Sequence, residues 1–315
     1  MLPAAALASP VISKAFVPPQ IPLNAKTVLT FTISKADPSV TLTGVGFSHV
    51  LPAGLLVVSV SSTCGGGTIT AAAGTNFISL AGATLLGGGS CTFGVTVKGT
   101  IAGVGTNVTG NVTSDQSLNG NTATASLTVV LPPTISKAFG AAKILLNGST
   151  SLTFSITNPN PAVALAGLSF TDVLPPGLVV ATPNGLTNTC GGAATATAGS
   201  GSVSLAAGAL AANGTCTLTV NVISTTLGIK NNVSGAISSN EGGVGSLSNV
   251  ATIRILALSP VISKAFGEVA MPVGSTTTLT FTIVNPNLTV GLTGIAFNDT
   301  LPGGVDRGDA HWGDR

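Results

Sequence analysis

Apolar and polar residues alternate one by one through Thr30-Phe31-Thr32-Ile33 and Thr153-Phe154-Ser155-Ile156, and again through Cys91 to Val97 and Cys216 to Val222. A period of two puts successive side chains on opposite faces, so each run predicts a strand with one buried face. Turn formers interrupt the runs at short intervals: Gly65-Gly66-Gly67, Gly87-Gly88-Gly89, Asn119-Gly120-Asn121, Asn158-Pro159-Asn160-Pro161 and Leu174-Pro175-Pro176-Gly177. Nowhere does a capping residue precede an apolar stripe of helical period. Roughly seven or eight short strands in about 120 residues, without helices, predict an all-β fold built as an antiparallel sandwich of immunoglobulin-like architecture.

The pattern occurs three times. Ser9-Pro10-Val11-Ile12-Ser13-Lys14-Ala15-Phe16 returns as Pro133-Thr134-Ile135-Ser136-Lys137-Ala138-Phe139 and as Ser259-Pro260-Val261-Ile262-Ser263-Lys264-Ala265-Phe266. Each copy continues into Leu-Thr-Phe-(Thr/Ser)-Ile and then a Leu-Pro pair at Leu51, Leu174 and Leu301. Solenoid coils repeat every 20 to 45 residues or so, and the spacing here is several times longer, which marks whole domains in tandem. The predicted division is a leader or linker at 1–9, sandwiches at 10–131 and 132–258, a truncated third copy at 259–302, and a tail at 303–315. Nine of the eleven Phe fall at three equivalent positions per copy, led by Phe31, Phe154 and Phe281, and are expected to anchor the cores.

Composition narrows the functional classes. Only 20 of 315 residues are charged, 11 basic and 9 acidic, and the net charge is +2. Lysines are scattered singly, with no basic stripe for phosphates, so nucleic-acid binding is not expected. Mean hydropathy is +0.61, yet Thr, Ser, Gly and Asn break every apolar stretch before the roughly 18 residues of a spanning helix accumulate. A membrane barrel would want aromatic girdles, and the chain has no Tyr and one Trp. Residues 1–9 lack a basic n-region and Pro3 breaks a short apolar stretch. They do not read as a signal peptide, and the chain is expected to be an internal piece of a longer exported protein or one whose start was assigned too far downstream.

The four cysteines stand two per complete copy, Cys64 with Cys91 and Cys190 with Cys216. Three pairings are open on paper. A domain that folds alone should carry its own cross-link, which selects pairing within each copy, at a value of roughly 3 to 4 kcal/mol in the chain-entropy model. An oxidising compartment follows. Neither His49 nor His311 has a clustered Cys partner, so no metal or other cofactor is expected. Catalysis finds no support either: two His among dozens of Ser and Thr form no repeated triad, the glycine runs do not open helices, and the carboxylates are far apart. No catalytic residue is assigned and the protein is read as a non-enzyme.

Taken together, Ile-Ser-Lys-Ala-Phe, Leu-Thr-Phe-Ser-Ile-Thr-Asn158-Pro159-Asn160 and Thr171-Asp172-Val173-Leu174-Pro175-Pro176-Gly177 resemble the conserved β-sandwich repeats of large bacterial surface proteins, the group catalogued as domain of unknown function eleven and its relatives. Asn285-Pro286-Asn287 and Asn298-Asp299-Thr300-Leu301-Pro302 repeat both signatures, whereas the first copy has Lys35-Ala36-Asp37-Pro38 and His49 in their places. The resemblance implies a cell-surface or secreted location and a spacer or adhesin-like role without catalytic residues. Two readings follow: a stalk, which is preferred, or a binding module whose sandwich-end loops contact a cell-surface glycan or protein.

Two further expectations come from the residues. Lys137, Asp172 and Asn249 are the residue types of a Lys to Asn isopeptide bond with an assisting acid, although an exposed edge-strand lysine and a turn-capping aspartate is the preferred reading. The tail, Val305 to Arg315, carries 5 of the 20 charges and the only Trp. Gly303 to Arg315, written in one permitted codon set and read one base later, gives a run that tracks residues 176–187, which points to a frameshift near Leu301. No regular structure is expected from Gly303 onward, and the third copy is expected to be less ordered than the first two.

Overall fold

A computed structural model describes residues 9–288 and 290–307. Among these the protein is all-β. The first copy begins with a four-stranded sheet in the order Val11–Val17, Lys26–Ser34, Ser90–Gly99, Leu55–Val60. Facing it are Leu42–Val50, Phe77–Leu85 and Thr68–Thr70. The second copy repeats the plan: Thr134–Phe139, Ser149–Thr157, Thr215–Ser224 and Leu178–Val180 in one sheet, with Ala193–Thr195, Ser202–Leu210 and Leu165–Val173 in the other.

The alternation read from the sequence is what buries these strands. Along Ser149–Thr157 the inward positions are Leu152, Phe154 and Ile156, all fully buried. Phe154 meets Phe170 of the opposite sheet with ring centroids 5.0 Å apart, and Phe31 sits 5.1 Å from Phe47 and 5.0 Å from Phe93. Each such ring contributes about 2 to 3 kcal/mol by leaving water. Cys64 is joined to Cys91 and Cys190 to Cys216, with Cα separations of 5.2 and 5.0 Å.

The sandwiches are antiparallel with one parallel pair each, which the sequence pattern did not predict. Gln20–Pro22 runs parallel to Thr124–Val130, and Lys143–Leu145 runs parallel to Ala251–Leu256. Three-residue strands are too short to show a period, and Pro22 is tolerated because the pair lies at a sheet edge.

The third copy contributes one hairpin among the described residues, Val261–Phe266 against Leu279–Val284 in the register of its counterparts. With no facing sheet, Phe266 and Phe297 remain 44% and 45% exposed, so two of its core anchors are anchors without a core. No strand follows Gly303 up to Arg307, and the rest of the tail, 308–315, lies outside the described residues.

Candidate functional site

Lysine, aspartate and asparagine side chains converge inside the second sandwich. Lys137 lies on Thr134–Phe139, on the same face as Ile135 and opposite Phe154 in the strand pairing, so its stem crosses the apolar core. Asp172 alternates inward with Leu168 and Phe170 on the facing sheet. Asn232 ends the strand Gly228–Asn232 that closes the side of the sandwich. The Lys137 Nζ lies 2.5 Å from Asp172 Oδ1, with both side chains fully out of solvent. Asn232 Nδ2 donates to Asp172 Oδ2 at 2.7 Å, and the ammonium stands 5.6 Å above the centre of the Phe154 ring. Burial pulls the Lys137 amine below the ordinary lysine range, and the adjoining carboxylate opposes that shift.

This geometry corrects the exposed-lysine reading: neither Lys137 nor Asp172 is at the surface. It also places Asn249 elsewhere. Thr134–Phe139 is the outer strand of its sheet, and its main chain at Lys137 needs partners on the open side. The Asn249 amide, which offers a donor and an acceptor side by side like a peptide group, accepts from the Lys137 backbone N–H at 2.8 Å and donates to the Lys137 carbonyl at 3.0 Å. It therefore meets the lysine's main chain, and the amide beside the buried carboxylate belongs to Asn232. A sequence signal for Asn232 existed: Asn107-Val108-Thr109-Gly110 and Asn232-Val233-Ser234-Gly235 repeat one another.

The first sandwich carries the same constellation with one substitution. The Lys14 Nζ donates to Asn107 Oδ1, and His49 stands where Asp172 stands in the second copy. The His49 ring is 2% exposed, with Nδ1 3.0 Å from the Val108 carbonyl. Because a carbonyl can only accept, Nδ1 carries the proton and Nε2 presents a bare lone pair. Neither that Nε2 nor the Asn107 Nδ2 finds a hydrogen-bond partner among the described residues. Burial, and secondarily the Lys14 charge, holds His49 down to about 4, and burial brings Lys14 down to about 8. In the third copy Lys264 Nζ and Asp299 Oδ1 are again 2.5 Å apart, but the two side chains are 49% and 21% exposed.

A second set of asparagines works at the joints between copies. Asn160 Oδ1 accepts from the Leu131 N–H at 2.8 Å while its Nδ2 donates to the Leu131 carbonyl at 2.9 Å and to Asn158 Oδ1 at 2.8 Å. Asn287 holds Leu258 in the same way, at 2.9 Å in both directions, and rests on Asn285. Asn158 and Asn285 in turn donate to the Val163 and Val290 carbonyls, closing the turn that presents the clamp. In the first copy the Lys35 ammonium takes over that turn-closing role, donating to the carbonyls of Asp37 and Val40.

No group of three or more His, Cys, Asp or Glu is placed to hold a metal among the described residues. The surface grooves, typified by Gly46, Phe47, Leu80 and Thr113 in the first copy and by Phe170, Thr171, Leu205 and Ser238 in the second, are open and lined by uncharged residues. No helix among the described residues is long and apolar enough to cross a membrane.

None of the curated proteins matches the chain. Among solved structures, the chain is similar to the C-terminal domain of the Streptococcus agalactiae AgI/II polypeptide BspA, at 13% identity and a TM-score of 0.47, covering 78% of this chain and 99% of that one. Similarity also extends to the major pilin subunit BcpA of Bacillus cereus (12% identity, TM-score 0.34, 79% and 70% covered). The Escherichia coli adhesin FdeC is similar at 17% identity and a TM-score of 0.28, over 91% of this chain and 76% of that one. The family model described as domain of unknown function DUF7933 matches three times, at residues 10–129, 133–254 and 260–310, each match opening just before an Ile-Ser-Lys-Ala-Phe strand. With nearly the whole length covered by successive matches, the chain belongs to the DUF7933 family of β-sandwich domains.

Proposed function

We propose that this chain is a stalk segment of an exported bacterial protein, a non-enzymatic series of sandwiches, divided at 10–131, 132–258 and 259–302, that holds another module away from a surface. The observation that carries the reading is the asparagine clamp. A linker meant to swing is rich in Gly and Ser and free of contacts. Here the joint Leu131-Pro132-Pro133 is stiffened by two prolines, tied through both main-chain groups of Leu131 to Asn160, and preceded by Val130, which is fully buried in the core of the following sandwich. The next joint, at Leu258, carries the same clamp. Within-copy disulfides support an oxidising location, the cell surface or the medium. The bland, charge-poor surface fits a spacer, whose task is to resist unfolding and proteolysis.

Dyes placed on the first and second sandwiches should give a single narrow energy-transfer distribution, broadened when Asn160→Ala releases the joint. A glycan array and a whole-cell adhesion assay on residues 9–258 should both be negative. A broad distribution in the unaltered chain would overturn the stalk. Saturable binding lost on altering the loop 182–186, between the strands Leu178–Val180 and Thr187–Asn188, would assign the adhesin role instead.

A further inference from the structure

The buried lysine, carboxylate and amide of the second sandwich play no part in holding the joints, and burying an ammonium on a carboxylate seldom stabilises a fold more than apolar packing would. The three groups together have a chemistry of their own. We propose that the second sandwich carries an intramolecular amide bond between Lys137 Nζ and Asn232 Cγ, formed at the Asp172 carboxyl with release of ammonia.

The placement supplies what the reaction needs. A lysine attacks only as the free amine, and burial lowers the cost of that form. The Asp172 carboxylate touches both reactants, Nζ at 2.5 Å through Oδ1 and the Asn232 amide at 2.7 Å through Oδ2, so one group can take a proton from the nucleophile and give it to the leaving nitrogen. Proton transfer from the ammonium to Asp172 leaves a neutral amine and a neutral acid. The amine lone pair adds to Cγ, the tetrahedral centre collapses, and the Cγ–Nδ2 bond breaks. Two of the three protons of the ammonium end on Nδ2, relayed by Asp172, so nitrogen departs as ammonium and the carboxylate is restored. The Nζ keeps one proton as the new amide N–H. No oxidant, metal or other reagent enters. Fixing the partners within one core replaces a bimolecular encounter, which accounts for amide exchange between otherwise unreactive groups.

The other copies separate the parts of the device. The first sandwich has the nucleophile Lys14 and the amide Asn107, but His49 at the relay position is a neutral imidazole held far from accepting a lysine proton. In the third, Lys264 and Asp299 are partly exposed, and among the described residues no amide hydrogen-bonds to the pair. The bond is therefore expected in the second sandwich alone.

The test is the intact mass of the full chain after reduction, followed by tryptic mapping. The expected mass falls short of the sequence by one ammonia. An Asn-Gly succinimide, as at Asn119-Gly120, sheds the same mass, so the branched peptide decides: trypsin should spare Lys137 and release residues 99–143 joined to 231–254, a product without cysteine. Asp172→Asn, which keeps the shape but not the relay, and Asn232→Ala should each abolish the branch while Lys137 becomes a cleavage site. His49→Asp should add a Lys14 to Asn107 branch, joining residues 1–26 to the same product. Full cleavage after Lys137 in the unaltered protein, or a branch ending on Asn249, overturns the proposal. A Lys14 to Asn107 branch already present beside His49, or none after His49→Asp, overturns the role given to the relay position.

Discussion

Acidification should loosen the first sandwich before the second, because His49 is buried neutral. Its pKa of about 4 in the folded protein lies below the ordinary value of 6.5, chiefly through burial and secondarily through the Lys14 charge. A base whose pKa is depressed by folding binds more protons when unfolded, and stability then rises with pH across the gap between the two values. Run downward, the folded state is penalised as pH falls from 6.5 toward 4. Integrated over that window, the loss is about 2 kcal/mol at pH 5 and about 3 kcal/mol at pH 4. Against a typical stability of about 5 to 15 kcal/mol for a domain, that is a large fraction.

The second sandwich supplies the control within the same molecule, since it has no histidine and Asp172 holds the corresponding position. Hydrogen exchange read by mass spectrometry, with rates corrected for intrinsic pH dependence, should show protection in Lys26–Ser34 and Ser90–Gly99 falling between pH 6.5 and 4. Protection in Ser149–Thr157 and Thr215–Ser224 should fall less. The His49 ring resonances, identified by their loss in His49→Asn, should not titrate between pH 7 and 5. A midpoint near 6.5, or parallel loss in both sandwiches, would refute the claim that His49 is held neutral by burial.

Removing the Cys190 to Cys216 bridge by a double alanine substitution should destabilise the second sandwich by about 3.5 kcal/mol, the loop-entropy value for a span of this size, with β structure retained by circular dichroism; an unchanged melting temperature would show that the bridge closes nothing the fold had not closed. Asn160→Ala strips both main-chain partners from Leu131 and should cost about 2 to 3 kcal/mol in urea unfolding, much more than the same change at the exposed Asn231. Phe154→Ala empties the centre of the core and should cost about 3 to 5 kcal/mol, whereas Phe297→Ala in the third copy should cost well under 1 kcal/mol, because its ring has little core to leave.

Much of the sandwich was legible because the strand period is short and the copies repeat it. Leu152, Phe154 and Ile156 alternate with Thr and Ser, and burial follows that alternation residue by residue. The same rule reaches the polar residues of these strands. Ile12, Lys14 and Phe16 share a parity, as do Phe170 and Asp172, so period two aims Lys14 and Asp172 inward even though their polarity argues for the surface. Polarity was the weaker guide, since a buried ionised group is tolerated where a partner waits across the core, and partners on distant strands are invisible to local pattern. Asn249 and Asn232 show the limit from the other side. Both amides approach Lys137 or its partner, and which one meets the main chain and which the carboxylate depends on the pairing of Ala251–Leu256 with Gly228–Asn232.

The third copy shows why the motif alone does not specify the chemistry. Lys264 and Asp299 keep the 35-residue spacing and the 2.5 Å contact of Lys137 and Asp172. Contact distance is set by the first hairpin and by the segment carrying the acid, which the third copy retains. Burial is set by the strands that follow in the first two copies, in the second Ser202–Leu210, Thr215–Ser224 and Gly228–Asn232; the described residues of the third copy hold no counterparts to them, and there the pair is partly exposed. Water solvates both charges and screens the ion pair to a fraction of its buried strength. A lysine and an aspartate at the same distance are thus an inert surface pair in one copy and a poised nucleophile with its relay in another. The deciding quantity is the amount of apolar sheet folded over them, and the alternating Thr, Val and Leu of the later strands contribute to the reactivity of Lys137 as much as the carboxylate that touches it.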